Sequence, residues 1–164
     1  MRPTRIMPRA GQESVWDYPR PPRVEPSPKP VRVVFGRRDV ASSSTAWRVL
    51  ETSHPPVFYL PEADIDWNCL VKSTGVTHCE WKGVAHYFDV VVENRRAVRA
   101  AWCFPEPKPG FESIRDCVAF YPQLMDACFV GDEEVLPQAG DFYGGWITSD
   151  VVGPFKGEPG TWGW

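Results

Sequence analysis

Two short stretches of this chain carry most of the groups that could do chemistry. RVLETSHPPVFYLP, residues 48–61, offers Glu51, Thr52, Ser53 and His54. THCEWKGVAHYFDV, residues 77–90, offers His78, Cys79, Glu80 and Lys82, with Trp81 among them. All three histidines, His54, His78 and His86, lie in these stretches. Glu51 and His54 could serve as a general base and its partner. Cys79 could be a nucleophile if Lys82, His78 or His54 held it as the thiolate. Lys82, between Trp81 and Gly83, could hold an anion in a concave site. Each group also has a plainer use. Glu51 and His54 could bond backbone in a buried loop, Cys79 could be a small buried hydrophobe, and Lys82 could be an exposed residue at a bulge. A metal site from His54, His78, His86 and a cysteine has no supporting ligand spacing, so neither a metal nor another cofactor is expected.

The elements that must position these groups read mainly as β structure. Val31, Val33 and Phe35 alternate along a strand, Gly36-Arg37-Arg38-Asp39 turns it, and Val40 starts the return. Residues 45–50 read as a short helix capped by Ser43 or Ser44 and closed by Pro55-Pro56. Val57–Leu60 reads as a strand, 62–67 as a turn or a short helical piece, and 71–75 as a loop. Residues 79–92 read as one long strand bent at Gly83. Glu93–Arg96 turns it, and 98–104 returns with Trp102 on the same face as Phe104. Residues 112–121 read as a helix, with Ile114, Cys117, Val118 and Tyr121 at helical spacing. Ala127–Val130 reads as a last strand. VRVVFGRRDV and DVVVENRRAV form a weak internal repeat, each a valine run before a turn containing Arg-Arg.

On the long strand, alternation puts Cys79, Trp81, Ala85 and Tyr87 on one face, with parity across Gly83 open. With Tyr59 and Trp102 they could wall a pocket for a small planar or cationic ligand. The competing use of the same rings is core packing. The candidate ligand-binding residues are therefore Glu51, His54, Tyr59, Cys79, Trp81, Lys82, Gly83, Tyr87 and Trp102. The ETSH and CEWKG stretches are expected to meet at one pocket.

Composition narrows the classes. The net charge of −3 gives no bulk attraction to nucleic acid or anionic membrane. There is no long apolar run and no apolar leader, so a cytoplasmic protein is expected. The five cysteines are odd in number and none forms CxxC, which argues against a disulfide framework. Eighteen prolines and thirteen glycines disfavour a helical bundle. Residues 1–30 are a proline-rich arm, residues 31–135 one β-rich domain, and residues 136–164 an aromatic, glycine-rich tail. Phe142, Tyr143, Trp146, Phe155, Trp162 and Trp164 would expose much apolar surface unless the tail docks on the domain or on a second subunit of a homodimer.

The run ESVWDYPRPPRVEP, VRVVFGRRDVASS, RVLETSHPPVFYLP, THCEWKGVAHYFDV, AAWCFPEP and VAFYPQLMD resembles a family of small, mostly bacterial proteins, domain of unknown function 427. The resemblance covers residues 13–135 and is sharpest at Glu51–Tyr59 and at Thr77, Cys79, Trp81, Lys82 and Gly83. The tail beyond Gly140 looks like versions from photosynthetic bacteria. The resemblance implies a compact, mainly β domain similar to the β-tent proteins, with two antiparallel sheets meeting at an angle. It brings no characterised activity. The family is also given a nucleotidyltransferase-like label. That chemistry needs paired carboxylates after a glycine-rich turn. The one Asp-x-Asp here, Asp64-Ile65-Asp66, follows no such turn and reads as a solvated cap.

The fold expected is a small, mainly β, two-sheet antiparallel domain with short helices. The function expected is binding of a small polar or aromatic ligand between two sheets, with catalysis left open. The alternatives are a hydrolase or transferase using Cys79 or Glu51/His54, and an interaction module using the aromatic tail.

Overall fold

The computed structural model describes residues 3–164, all but the first two of the chain. It is mainly β, with helical structure confined to single 3₁₀ turns. The first four-stranded sheet holds β3 (Val31–Phe35), β4 (Arg38–Ser43), β11 (Ala127–Val130) and β12 (Glu133–Glu134), in the order β12-β11-β3-β4. The second holds β7 (Leu70–Cys79), β8 (Gly83–Val92), β9 (Arg95–Cys103) and β10 (Val118–Phe120), in the order β10-β9-β8-β7. A three-stranded sheet, β2-β5-β6, is made of Arg23–Pro26, Trp47–Leu50 and Val57–Tyr59. All these pairings are antiparallel.

Leu60 and Val118 exchange two backbone hydrogen bonds of 2.9 and 2.8 Å, joining β6 to β10. The three-stranded sheet therefore continues into the second four-stranded one. Strand period 2 then deals side chains into two cores. Phe58, Leu60, Ala101, Cys103, Val118 and Phe120 face the main core, with Val31, Val33, Phe35, Val90 and Val130. Tyr59, Trp102, Phe104 and Ala119 face a second cluster on the opposite side. The candidate site belongs to that second face.

Both repeat segments form hairpins, β3–β4 and β8–β9, one in each four-stranded sheet. Their tips touch. Gly36 (φ +60°) and Arg37 (φ +63°) form the two-residue connection that matches strand twist. A methyl on Gly36 would lie 2.7 Å from Val92 Cγ1, so glycine serves both the turn and the contact. Asp126 fastens the junction, accepting from Gly36 N at 2.8 Å and from Arg95.

Four expectations change. Residues 45–50 are not a helix: Trp47–Leu50 is the middle strand β5. Trp47 and Val49 face the second cluster, while Arg48 and Leu50 face the N-terminal arm, and burial on both faces imitates helical spacing. Residues 112–121 are a 3₁₀ turn, Glu112–Ile114, followed by β10. Asp116 at φ +60° interrupts any helix, a conformation aspartate tolerates better than most residues. Residues 71–75 are strand rather than loop. They lie in the exposed edge strand β7, with a bulge between Lys72 and Val76, so no buried stripe marks them. Residues 79–92 are a hairpin rather than one strand, since Cys79 pairs with Gly83 around the tip 80–82.

Four two-residue strands complete the fold: β1 (Glu13–Ser14), β13 (Leu136–Pro137), β14 (Trp146–Ile147) and β15 (Val151–Val152). β1 pairs in parallel with β15, so the two ends of the chain meet. Val15, Tyr18, Leu50 and Val151 bury a third small cluster there. Trp146 is fully buried in the main core.

Candidate functional site

The Glu51–Pro56 loop leaves β5 and is clamped by both ends of the chain. Ser53, at φ +71° and fully buried, donates its N–H to Val15 O (3.0 Å) and accepts from Lys156 N (2.9 Å). The Arg20 guanidinium reaches Glu51 at 3.3 Å and Thr52 O at 3.1 Å. His54 is thereby fixed. Its Nδ1 lies 2.9 Å from Thr52 O, and a carbonyl only accepts, so Nδ1 carries the proton. Glu51 Oε2 is 3.8 Å from the same nitrogen. Burial holds the imidazole pKa below its ordinary value, against the opposing pull of Glu51. At neutral pH His54 is therefore neutral, with its lone pair on Nε2.

The second wall is the β7–β8 hairpin and β9. Thr77 pairs with Ala85 and Tyr87 with Trp102, so Thr77, Cys79, Ala85, Tyr87 and Trp102 share a face. Thr77 Oγ1 and Tyr87 OH are 2.7 Å apart, and the Arg99 guanidinium covers the Tyr87 ring at 4.1 Å. The hairpin tip rests on the 105–110 loop. Lys108 N donates to Lys82 O at 2.9 Å, and Lys108 Nζ to Glu80 O at 3.0 Å. Gly83 has φ +115°, and a Cβ there would press on Glu106 O at 3.2 Å. That is why a glycine follows Lys82.

Tyr59 is the floor. Trp102 Nε1 donates to its hydroxyl at 3.2 Å, and the two rings meet edge to face. Tyr121 packs on Trp102 at 4.5 Å between centroids. Burial raises the Tyr59 pKa far beyond the ordinary phenol range and that of Tyr121 to about 12. Both remain neutral phenols and can donate a hydrogen bond.

The C-terminal segment forms the third wall. Gly144 lies flat on Trp102, where a Cβ would sit 2.4 Å from Cη2. Tyr143 meets the His54 ring edge to face at 5.5 Å. Gln138 bridges back, accepting from Gly145 N at 3.2 Å and donating to Lys156 O at 2.7 Å.

These walls enclose a cleft of about 390 Å³. Of the nine residues expected from sequence, seven line it: Glu51, His54, Tyr59, Cys79, Lys82, Tyr87 and Trp102. Trp81 and Gly83 do not. Trp81 packs half-buried against the second cluster, and Gly83 supports the tip from behind. Sequence reading missed Val57, Thr77, Phe104 and Tyr121, and it named His78 and Ala85 without counting them among the binding residues. It also missed the tail residues Gln138 and Asp141–Gly144. Strand alternation through Cys79 carried a signal for Thr77, which pairs with Ala85. The tail carried none, because its contacts are long-range and aperiodic. His86 points away, exposed, and Asp64 and Asp66 are absorbed elsewhere by Ser43 and Arg38. Among the described residues, no three His, Cys, Asp or Glu side chains are grouped to hold a metal ion, and no helix is long and apolar enough to cross a membrane.

Chemically, the cleft offers a cation (Lys82), a neutral imidazole acceptor (His54), a buried phenol (Tyr59), a half-buried one (Tyr121) and one thiol between aromatic walls. All five cysteines are free. Cys79 alone is half-exposed. Burial raises the thiol pKa of Cys103 and Cys117 to about 11, which suppresses the reactive thiolate. N-ethylmaleimide at neutral pH is therefore expected to label the native protein once, at Cys79, by peptide mapping. Fast labelling at Cys103 or Cys117 would contradict this packing.

A family model described as Domain of unknown function (DUF427) matches residues 23–131, from the first residue of β2 to just past β11. The match takes in the cleft's floor and two walls, and stops short of the tail that forms the third. No curated protein matches the chain. The fold and this match over most of the sequence lead to one assignment: the chain belongs to the DUF427 family.

Proposed function

We propose that the protein binds a small, partly aromatic ligand in the cleft where the three-stranded sheet meets the β7–β10 sheet. One observation carries the reading. Two stretches separate in sequence, ETSH and CEWKG, line one aromatic-walled cavity of ligand size. Lys82 supports it as well. Its ammonium forms no ion pair among the described residues, and it lies over the Phe104 ring at 5.8 Å from the centroid. A charge held over an apolar wall without a partner is well placed to receive one from a ligand.

The test is a thermal-shift screen of a metabolite collection, read together with N-ethylmaleimide labelling of Cys79. A ligand that binds only the folded state raises the melting temperature. The reading expects a compound that does so and also slows Cys79 labelling at least tenfold. With Lys82→Ala the stabilisation should disappear, while the unliganded melting temperature moves by no more than a surface substitution allows, about 0.5 kcal/mol in stability. A collection in which no stabilising compound protects Cys79 would overturn the reading.

A further inference from the structure

Contacts along the cleft put its polar groups in order. The Lys82 ammonium lies over Phe104. Phe104 meets Tyr59, and Tyr59 meets Trp102, each at 6.3 Å between centroids. Trp102 lies under Gly144, and the adjoining Tyr143 meets His54. A row of rings thus separates a cation at one end from an imidazole at the other. Nδ1 of that imidazole is spent on Thr52 O. Nε2 has no protein partner, and it is not sealed off: among the described residues only Gln123 Oε1 is buried without a partner. Glu51, beside His54, is already paired with Arg20.

We propose, resting on the cleft being a ligand site, that it takes a flat aromatic carboxylic acid whose far end carries a hydroxyl or N–H. The carboxylate sits on Lys82, the ring lies among Tyr59, Trp102 and Phe104, and the far donor hydrogen-bonds to Nε2 of His54. One lysine balances one negative charge. A dianion such as a phosphate monoester would leave one negative charge uncompensated in a cleft that the Asp141 carboxylate also lines. A cationic ligand would meet Lys82 in its place.

The arrangement carries a pH dependence. Protonating His54 turns Nε2 into a donor, which opposes the ligand's own donor. The charged groups facing this ring are Glu51 on its own loop, Arg20 from the N-terminal arm and Lys156 from the C-terminal segment, and the Tyr143 ring packs on it edge to face. Since burial lowers the imidazole pKa, affinity should be level from about pH 8 down to roughly pH 6.5 and fall only below that.

The experiment is calorimetric titration of the full chain with 4-hydroxycinnamate, its methyl ester and its 4-O-methyl ether. The acid should bind at least tenfold more tightly than either derivative. Lys82→Met should erase the preference for acid over ester and leave the preference for phenol over ether. His54→Phe should do the reverse, and His54→Gln, which restores an acceptor near the Nε2 position, should keep part of the phenol preference. Equal binding of all three compounds overturns the proposal. So does failure of all three when another compound from the screen protects Cys79, in which case the cleft reading stands. If nothing protects Cys79, the cleft reading itself falls.

Discussion

Replacing Trp146 by alanine is expected to lower stability by about 3–5 kcal/mol, the usual cost of emptying a buried tryptophan site. In a chain of this length that corresponds to a fall in melting temperature of roughly 6–20 °C. Trp146 is fully buried and packs on Phe58 at 5.0 Å between centroids. Its Nε1 donates to Phe120 O at 3.2 Å and its backbone N to Pro56 O at 2.8 Å. It thus ties the C-terminal segment to β6, β10 and the proline pair after His54. The truncation leaves a cavity in the main core and an unpaired Phe120 carbonyl, and β10 loses a neighbour on that side. Gly144, two residues earlier, forms part of the cleft wall, so ligand affinity should fall with stability. Trp162, 86% exposed, is the control, and its alanine variant should stay within about 0.5 kcal/mol of wild type. Equal melting temperatures for the two variants would show that the segment is not held as described.

Arg48→Ala should cost about 3 kcal/mol. The Arg48 side chain is 8% exposed and is held by Glu13 through two hydrogen bonds of 2.9 and 3.0 Å and by Glu25 through a further pair. Removing one partner of a buried ion pair costs about 3–5 kcal/mol. The low end applies because Glu13 and Glu25 keep 43% and 32% exposure. Arg48→Met, which keeps the packed stem, should lose less. The network also sets acid sensitivity. Hydrogen bonds from Arg48 and Tyr18 hold the Glu13 pKa below its ordinary value. The folded pKa is thus lower than the unfolded one. Its contribution is complete above about pH 5 and lost as pH falls through the folded value. Asp126, held down by Arg95, adds in the same direction. Denaturant midpoints measured between pH 7 and pH 3 should fall for wild type and less steeply for Arg48→Met. Parallel slopes would contradict this role for Arg48.

What could be read from the sequence follows from where burial is one-sided. β3 alternates cleanly, because Val31, Val33 and Phe35 face the core and Arg32 faces water. β5 and β10 do not alternate, because both of their faces are covered, and the resulting apolar spacing passes for a helix. β7 has neither face well covered over much of its length, so it looks like a loop. The two-residue strands of the tail are too short to show any period. The cleft was half legible for a related reason. His54, Cys79 and Lys82 stand out locally by residue type, next to prolines and a glycine that end elements. Tyr121, Asp141 and Tyr143 join them through long-range packing alone. The hairpin at residues 80–82 also rotated Trp81 out of the wall that strict alternation had assigned to it.

The central claim, that the cleft is where a ligand binds, is tested most directly by mapping the chemical shifts of the ¹⁵N-labelled protein with a stabilising compound from the screen. The Trp102 indole N–H, hydrogen-bonded to Tyr59 on the cleft floor, should shift most among the eight indoles, together with the Lys82 and Gly144 amides. Shifts confined to Gly140, Gly157, Thr161 and Trp162, which line the neighbouring groove and not the cleft, with the Trp102 indole unmoved, would contradict the account.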